Sequence, residues 1–321
     1  MSGFGVRQRR CREWGALLVA GLAGLAATSQ AQAGCNNARL DLVPPGYVFN
    51  ISSSPQLATT VTRADNGSCD YFIGFSDGSA ANYASRRLSF GSAVVPMNVY
   101  KDAARTRILK DKPSEAVVAD DVLQGSFAGG PGPDAQTLNY WAAIQPQSDY
   151  LPSGIYFESL TATLYSGKVN GSYHFESSQS LVLAYYIGRR VDLSLVDTGA
   201  PFNLNDTSQD LSFGTLSSGQ SRALDLVLQY NAGFRLTFSS ENNGALKHLS
   251  RSNTIPYTLQ VGGLPIGLAG SAAAPVVGPS GFGTSPTGGT RFPVRVTIGS
   301  IAGAVGGPYS DTITVTVVSA E

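Results

Sequence analysis

Apolar and polar positions alternate along most of this chain. The clearest case is Thr312-Ile313-Thr314-Val315-Thr316-Val317-Val318, which puts Ile313, Val315 and Val317 on one face of an extended strand. Asp70-Tyr71-Phe72-Ile73-Gly74-Phe75 is an apolar run that ends in the turn Ser76-Asp77-Gly78. Ser180 to Ile187 and Arg222 to Leu228 read as further strands. No segment has a convincing helical period over more than two turns. Val117 to Leu123 fits a short helix or a strand equally well. The pattern predicts an all-β protein of short strands and tight turns.

The pattern also repeats. Pro152-Ser153-Gly154-Ile155-Tyr156-Phe157-Glu158 leads into the alternating run Ser159 to Leu164, and Gly307-Pro308-Tyr309-Ser310-Asp311 leads into Thr312 to Val317. Each has a turn, a tyrosine, an acidic residue and then a Thr/aliphatic strand. Val95-Pro96-Met97-Asn98-Val99-Tyr100-Lys101-Asp102 has a counterpart in Ile255-Pro256-Tyr257-Thr258-Leu259-Gln260-Val261-Gly262. The two echoes predict two related β-sandwich domains, residues 34–188 and 189–321.

Residues 1–33 are expected to be a secretory leader. Arg7, Arg9, Arg10 and Arg12 form a basic start, Trp14 to Ala27 an apolar stretch, and Ala31-Gln32-Ala33 a small-x-small cleavage site. The apolar stretch is shorter than the roughly 20 residues of a membrane span. Cleavage there would leave 18 basic and 21 acidic residues. It would also leave two cysteines, Cys35 and Cys69, and in an exported protein these are expected to form a disulfide. Closing that loop is worth about 4 kcal/mol in the chain-entropy model.

Composition narrows the function classes. Lys+Arg and Asp+Glu are both 22, with no basic run past the leader, which argues against nucleic-acid binding. At 42% hydrophobic residues, disorder is not expected. The two histidines, His174 and His248, read as solvated loop residues, and Asp120-Asp121 as a solvated turn or strand end. Gly281-Phe282-Gly283 lacks the lysine and strand–helix setting of a phosphate loop. No catalytic, metal or cofactor site is expected, and the chain reads as a binding or structural protein, not an enzyme.

Met97-Asn98-Val99-Tyr100-Lys101-Asp102-Ala103-Ala104-Arg105-Thr106 resembles the strand–turn–strand of the spore coat protein U family, which includes the pilins of archaic (Csu-type) chaperone–usher pili. The endings at Gly154 to Leu164 and Gly307 to Val317 are similar to that family's last strand. The second copy departs from the family in having no cysteine. The resemblance implies immunoglobulin-like sandwiches, of which a pilin lacks its final strand and borrows it from a partner. Such partners are a periplasmic chaperone, then the next pilin subunit, assembled at an outer-membrane usher. Borrowing a strand is β-augmentation. About five alternating aliphatic side chains seated in such a groove contribute on the order of 10 kcal/mol.

Two asymmetries sharpen the expectation. After Leu164-Tyr165 the first copy continues into Leu181-Val182-Leu183-Ala184-Tyr185-Tyr186-Ile187, whereas only four residues follow Val317. The first copy is expected to be self-complete and the second open, with a groove lined by Val191, Leu193, Leu195, Ile313, Val315 and Val317. Cys35 follows the expected cleavage site so closely that no donor strand is foreseen ahead of it. A subunit that accepts a strand and gives none belongs at the distal end of a polymer. The resemblance then implies a two-domain tip adhesin at the cell surface that attaches to an abiotic or host surface and supports biofilm. The alternative is a secreted spore-coat or carbohydrate-binding structural protein. Strand alternation places Tyr47, Phe49, Tyr83, Tyr173 and Phe175 near the free tip as candidate surface-binding residues, with residues 167–179 as a distal loop.

Overall fold

The structure, a computed structural model, describes residues 4–10, 40–51, 54–112, 117–145 and 150–320. They divide into two compact units. The first lies within residues 19–148 and 154–187. The second lies within residues 188–321, and residues 4–10 and 150–153 group with it.

In the first unit one layer has the order β2 (Leu40–Val43), β4 (Gln56–Arg63), β9 (Asp134–Ile144), β7 (Ala93–Tyr100). The facing layer runs β6 (Arg87–Phe90), β10 (Gly154–Gly167), β11 (Tyr173–Ile187), β3 (Tyr47–Phe49). There β5 (Ser68–Phe75) also pairs with β10, and β8 (Leu123–Ala128) with β5. The hairpin of β6 and β7 links the layers. Period-2 burial builds the core: Leu57 and Val61 on β4 and Tyr156, Leu160 and Ala162 on β10 are buried, while Phe157, Ser159 and Thr161 between them are exposed.

The second unit repeats the plan. One layer is β12 (Val191–Val196), β13 (Ser221–Tyr230), β19 (Thr290–Ile298), β16 (Thr254–Val261), with β17 (Leu264–Ile266) on β16. The other is β20 (Tyr309–Ser319), β14 (Phe234–Ser240), β18 (Val276–Gly281), and β15 (Ala245–His248) joins β16 to β20. Every second residue of β20 from Tyr309 to Val317 is buried. The fold is all-β, in two immunoglobulin-like sandwiches. Among the described residues no helix is long and apolar enough to cross a membrane.

Both repeated motifs take the shapes their sequences suggest. Met97 to Tyr100 ends β7, and the chain turns at Arg105 (φ 60°) so that Tyr100 bridges Ile108. In the second unit β16 turns at Gly262 and Gly263, both at positive φ, into β17. Three readings need correction. Residues 167–179 are not a long loop: β11 starts at Tyr173, because it pairs with β10 along its whole length. Val117 to Leu123 is neither one helix nor one strand throughout: a short 3-10 helix forms at Ala119–Asp121 only, and the chain then enters β8 at Leu123. His248 is not a solvated loop residue. It is buried on β15, edge-on to Tyr309, and its Nδ1 accepts from the Ser250 amide.

Candidate functional site: the outer edge of the last strand

The two copies differ at one edge. In the first unit Leu164 of β10 pairs with Ile73 of β5 on one side and with Ser177 of β11 on the other. In the second unit Thr314 of β20 pairs with Ser239 of β14 on one side, the place of β5. On the other side no strand from 189–320 covers Asp311 to Val317. A strand β1, Phe4–Arg10, lies there instead, parallel to β20, with Phe4 opposite Asp311 and Arg10 opposite Val317.

The acceptor edge expected to stand open is therefore taken by residues read as leader. The physical reason lies in the main chain. An edge strand presents a row of unsatisfied N–H and C=O groups and recruits whatever extended backbone is at hand. Strand β11 meets β10 antiparallel, whereas β1 meets β20 parallel.

Side chains behind this edge form an apolar interior. Leu193, Leu195, Ile313, Val315 and Val317 belong to one buried cluster, and Val191 packs against it half-buried. Between the layers lies an apolar cleft lined by Leu195, Ile313 and Val315, with Leu211, Leu224, Phe238, Leu259, Val294 and Val296 completing its walls. Of the six residues expected to line the groove, the cleft itself brings together Leu195, Ile313 and Val315. Leu211, from the irregular stretch between β12 and β13, lacked a periodic signal to mark it.

The acidic residue of each repeated ending is buried and holds a turn. Asp311 accepts from Tyr257 Oη (2.6 Å), Ser240 Oγ (2.6 Å) and the Asn242 amide (3.0 Å). Glu158 accepts from the Ser79 amide (3.2 Å) and from Ser79 Oγ. The Asp311 contacts tie the start of β20 to Tyr257 of β16 in the facing layer and to Ser240 of β14 beside it, and Glu158 ties β10 to the turn that follows β5. Burial, and then the Asp311 hydrogen bond, push the Tyr257 hydroxyl well above its usual pKa. Arg86 is buried beside the first motif. Its guanidinium donates to Asn98 Oδ1 (2.8 Å), Phe75 O (2.6 Å) and Ser76 O (2.6 Å), and burial brings its pKa down to about 10.

The candidate tip aromatics do not gather in one place. Tyr173 is half-buried, edge-on to both Phe72 and Tyr165, and Phe175, 60% exposed, follows it on β11. Tyr47, 55% exposed, pairs with Val182, and Phe49 pairs with Ala184. That puts Tyr47 nine residues further along β11 than Tyr173, about 30 Å at the rise of an extended strand. Tyr47 and Phe49 thus lie toward the opposite end of β11 from Tyr173 and Phe175. The expected common pole fails because β3 runs parallel to β11 and joins it near its C-terminal end. Tyr83 is half-buried, donates to Asp111 O (3.1 Å) and lies 5.0 Å from the Arg86 guanidinium.

Of the disulfide pair, Cys69 is buried on β5 opposite Phe127, and Cys35 lies outside the described residues. Asp121 is held by Lys110 at 3.1 Å, and Asp120 lies 3.9 Å from Lys101 and 3.7 Å from Arg107. Among the described residues no group of three His, Cys, Asp or Glu is placed to hold a metal.

Matches among solved structures include the chaperone–tip adhesion subunit pre-assembly complex of the archaic chaperone–usher Csu pili of Acinetobacter baumannii. It is 12% identical, the match covers 86% of this chain and 99% of that one, and the TM-score is 0.41. The CupB6 tip adhesin from Pseudomonas aeruginosa is 11% identical over 88% of this chain and 99% of that one, at a TM-score of 0.36. CfaE, the adhesive subunit of CFA/I fimbria of enterotoxigenic Escherichia coli, is 10% identical over 78% and 87%, at 0.29. A comparison with curated protein sequences finds no match. A family profile does match: the model of the Spore Coat Protein U domain is similar to residues 22–163 of this chain.

Proposed function

We propose that this protein is a pilus-tip adhesin of a chaperone–usher fimbria. In this reading residues 34–188 form the surface-binding domain and residues 189–321 a pilin domain completed by a donor strand. The supporting observation is the unequal edge: β10 is closed by β11 from its own domain, and β20 is closed only from outside residues 189–320. A domain that needs a strand from elsewhere is built to be joined, first to a periplasmic chaperone at the usher and then to the next subunit. The domain ahead of it is free to bind an abiotic or host surface and to support biofilm. Residues 1–33 direct export and are removed, which clears β1 from the edge.

Cells that carry the full pilus operon test the reading. Ile313→Asp with Val315→Asp buries two unpaired charges behind the edge. The expected result is loss of the protein from pili and loss of attachment to plastic. Phe175→Ser is expected to leave pili intact and weaken attachment. Normal incorporation of the double aspartate variant overturns the proposal.

A further inference from the structure

In the first unit the cross-strand pairs Asp70–Ser126 and Phe72–Gln124 lie side by side on β5 and β8. Cys69 and Tyr71 point into the sandwich core, and on the opposite face Asp70, Gln124 and Ser126 are exposed while Phe72 is buried beneath Val122, Tyr165 and Val169. The two pairs floor a cleft of about 510 Å³, within the ordinary range of small-molecule sites. Residues 167–170, at the turn from β10 to β11, form one wall, and Ala119 of the 3-10 turn contributes to another.

That wall is preformed. Gly167 takes φ +104°, and a Cβ there would meet Ser172 O at 2.3 Å, so the turn closes only with glycine. The Lys168 amide donates to Ser172 O and the Gly171 amide to Lys168 O. Lys168 Nζ reaches over the cleft to Asp70, 3.6 Å away.

We propose that this cleft binds a neutral saccharide. One carboxylate and one ammonium cancel, so neither an anion nor a cation is favoured. The Gln124 amide nitrogen already donates to Ala119 O (2.5 Å), which leaves its carbonyl to accept. Asp70 accepts, Lys168 donates, and Ser126 and Asn170 can do both. Such a mixed set matches vicinal hydroxyls, each of which donates and accepts. Half-buried Ala119 and the exposed methylenes of Lys168 offer carbon for the C–H face of a sugar ring. This inference rests on the proposed adhesin role of the first domain and names the class of ligand that domain would hold.

The test is saturation-transfer NMR on the full chain with methyl α-mannoside, methyl β-galactoside, methyl N-acetyl-β-glucosaminide and N-acetylneuraminic acid as probes. Asp70 and Ser126 are exposed, so Asp70→Ala and Ser126→Trp should keep the wild-type melting temperature. The expected result is transfer to at least one neutral sugar. Ser126→Trp should abolish it, and Asp70→Ala should weaken binding roughly tenfold, the scale of one charge-assisted hydrogen bond. Three results overturn the inference: no transfer to any neutral sugar, transfer unchanged in Ser126→Trp, or transfer confined to the acidic sugar. If pili and attachment to plastic persist in those cases, only the sugar assignment falls.

Discussion

Leu160 of β10 lies directly opposite Leu181 of β11, and both side chains are fully buried. In the second unit Ile313 stands in the place of Leu160, two residues past the buried acidic side chain, and its partner across the ladder is Val6 of β1. One copy thus fills the position with its own chain, and the other with a segment from outside its domain.

Closure of the first unit by β11 makes Leu181 a core residue. Leu181→Ala is expected to cost about 2–5 kcal/mol through lost burial and a residual cavity. Leu181→Asp buries a charge and should prevent the unit from folding. Denaturant unfolding of the full chain checks this, as loss of the transition assigned to residues 34–188. An unchanged transition in Leu181→Asp would show that β11 does not close the sandwich.

Much of the frame was legible in the sequence because the core is written in period two. The β13 and β20 strands, the duplicated endings and the motif around Asn98 all follow from local alternation. The strand β11 was read short because its first half, from Tyr173 to Gln179, mixes polar and exposed residues and is held mainly by pairing with β10. Neither β3 on β11 nor β1 on β20 announced itself, since main-chain pairing of a short strand leaves little trace in side-chain type. The cleft beside Asp70 was missed for a related reason. Its residues come from three separate segments, and none of them is unusual in its own stretch.

Cys69 and Cys35 provide a covalent test of the leader and of the first strand. The account expects one intramolecular disulfide in the exported protein. Mass spectrometry of non-reduced peptides should show residues around Cys35 joined to those around Cys69. Two alkylated thiols would contradict it. Reduction is expected to lower stability by about 4 kcal/mol, the chain-entropy value for a loop of this size.

Asp111 gives a pH signature. Burial holds its carboxyl above the ordinary value of 3.8, against the hydrogen bonds it accepts from Thr163 Oγ1 (3.0 Å) and Tyr165 Oη (3.0 Å). The folded state therefore binds this proton more tightly than the unfolded chain does. Stability falls as pH rises from 3.8 through the raised folded value and is level above it. Asp111→Asn removes that dependence. Its stability relative to the wild type should improve as pH rises from 3.8 through the raised folded value of Asp111, and then stay level. A difference that stays constant with pH would contradict the assignment.

The central claim is that the second unit needs a strand from outside itself. The most direct measurement is the thermal melt of a chain lacking residues 1–33, with and without a donor peptide of alternating aliphatic residues fused after Glu321. A short flexible linker presents the peptide at an effective concentration of about millimolar. The account predicts that the unfused chain shows a cooperative transition for the first unit only. The fusion should add a second transition at much higher temperature, and aspartate at alternate donor positions should remove it. If the unfused second unit melts cooperatively at the same temperature as the fusion, its sandwich is already complete and the account is wrong.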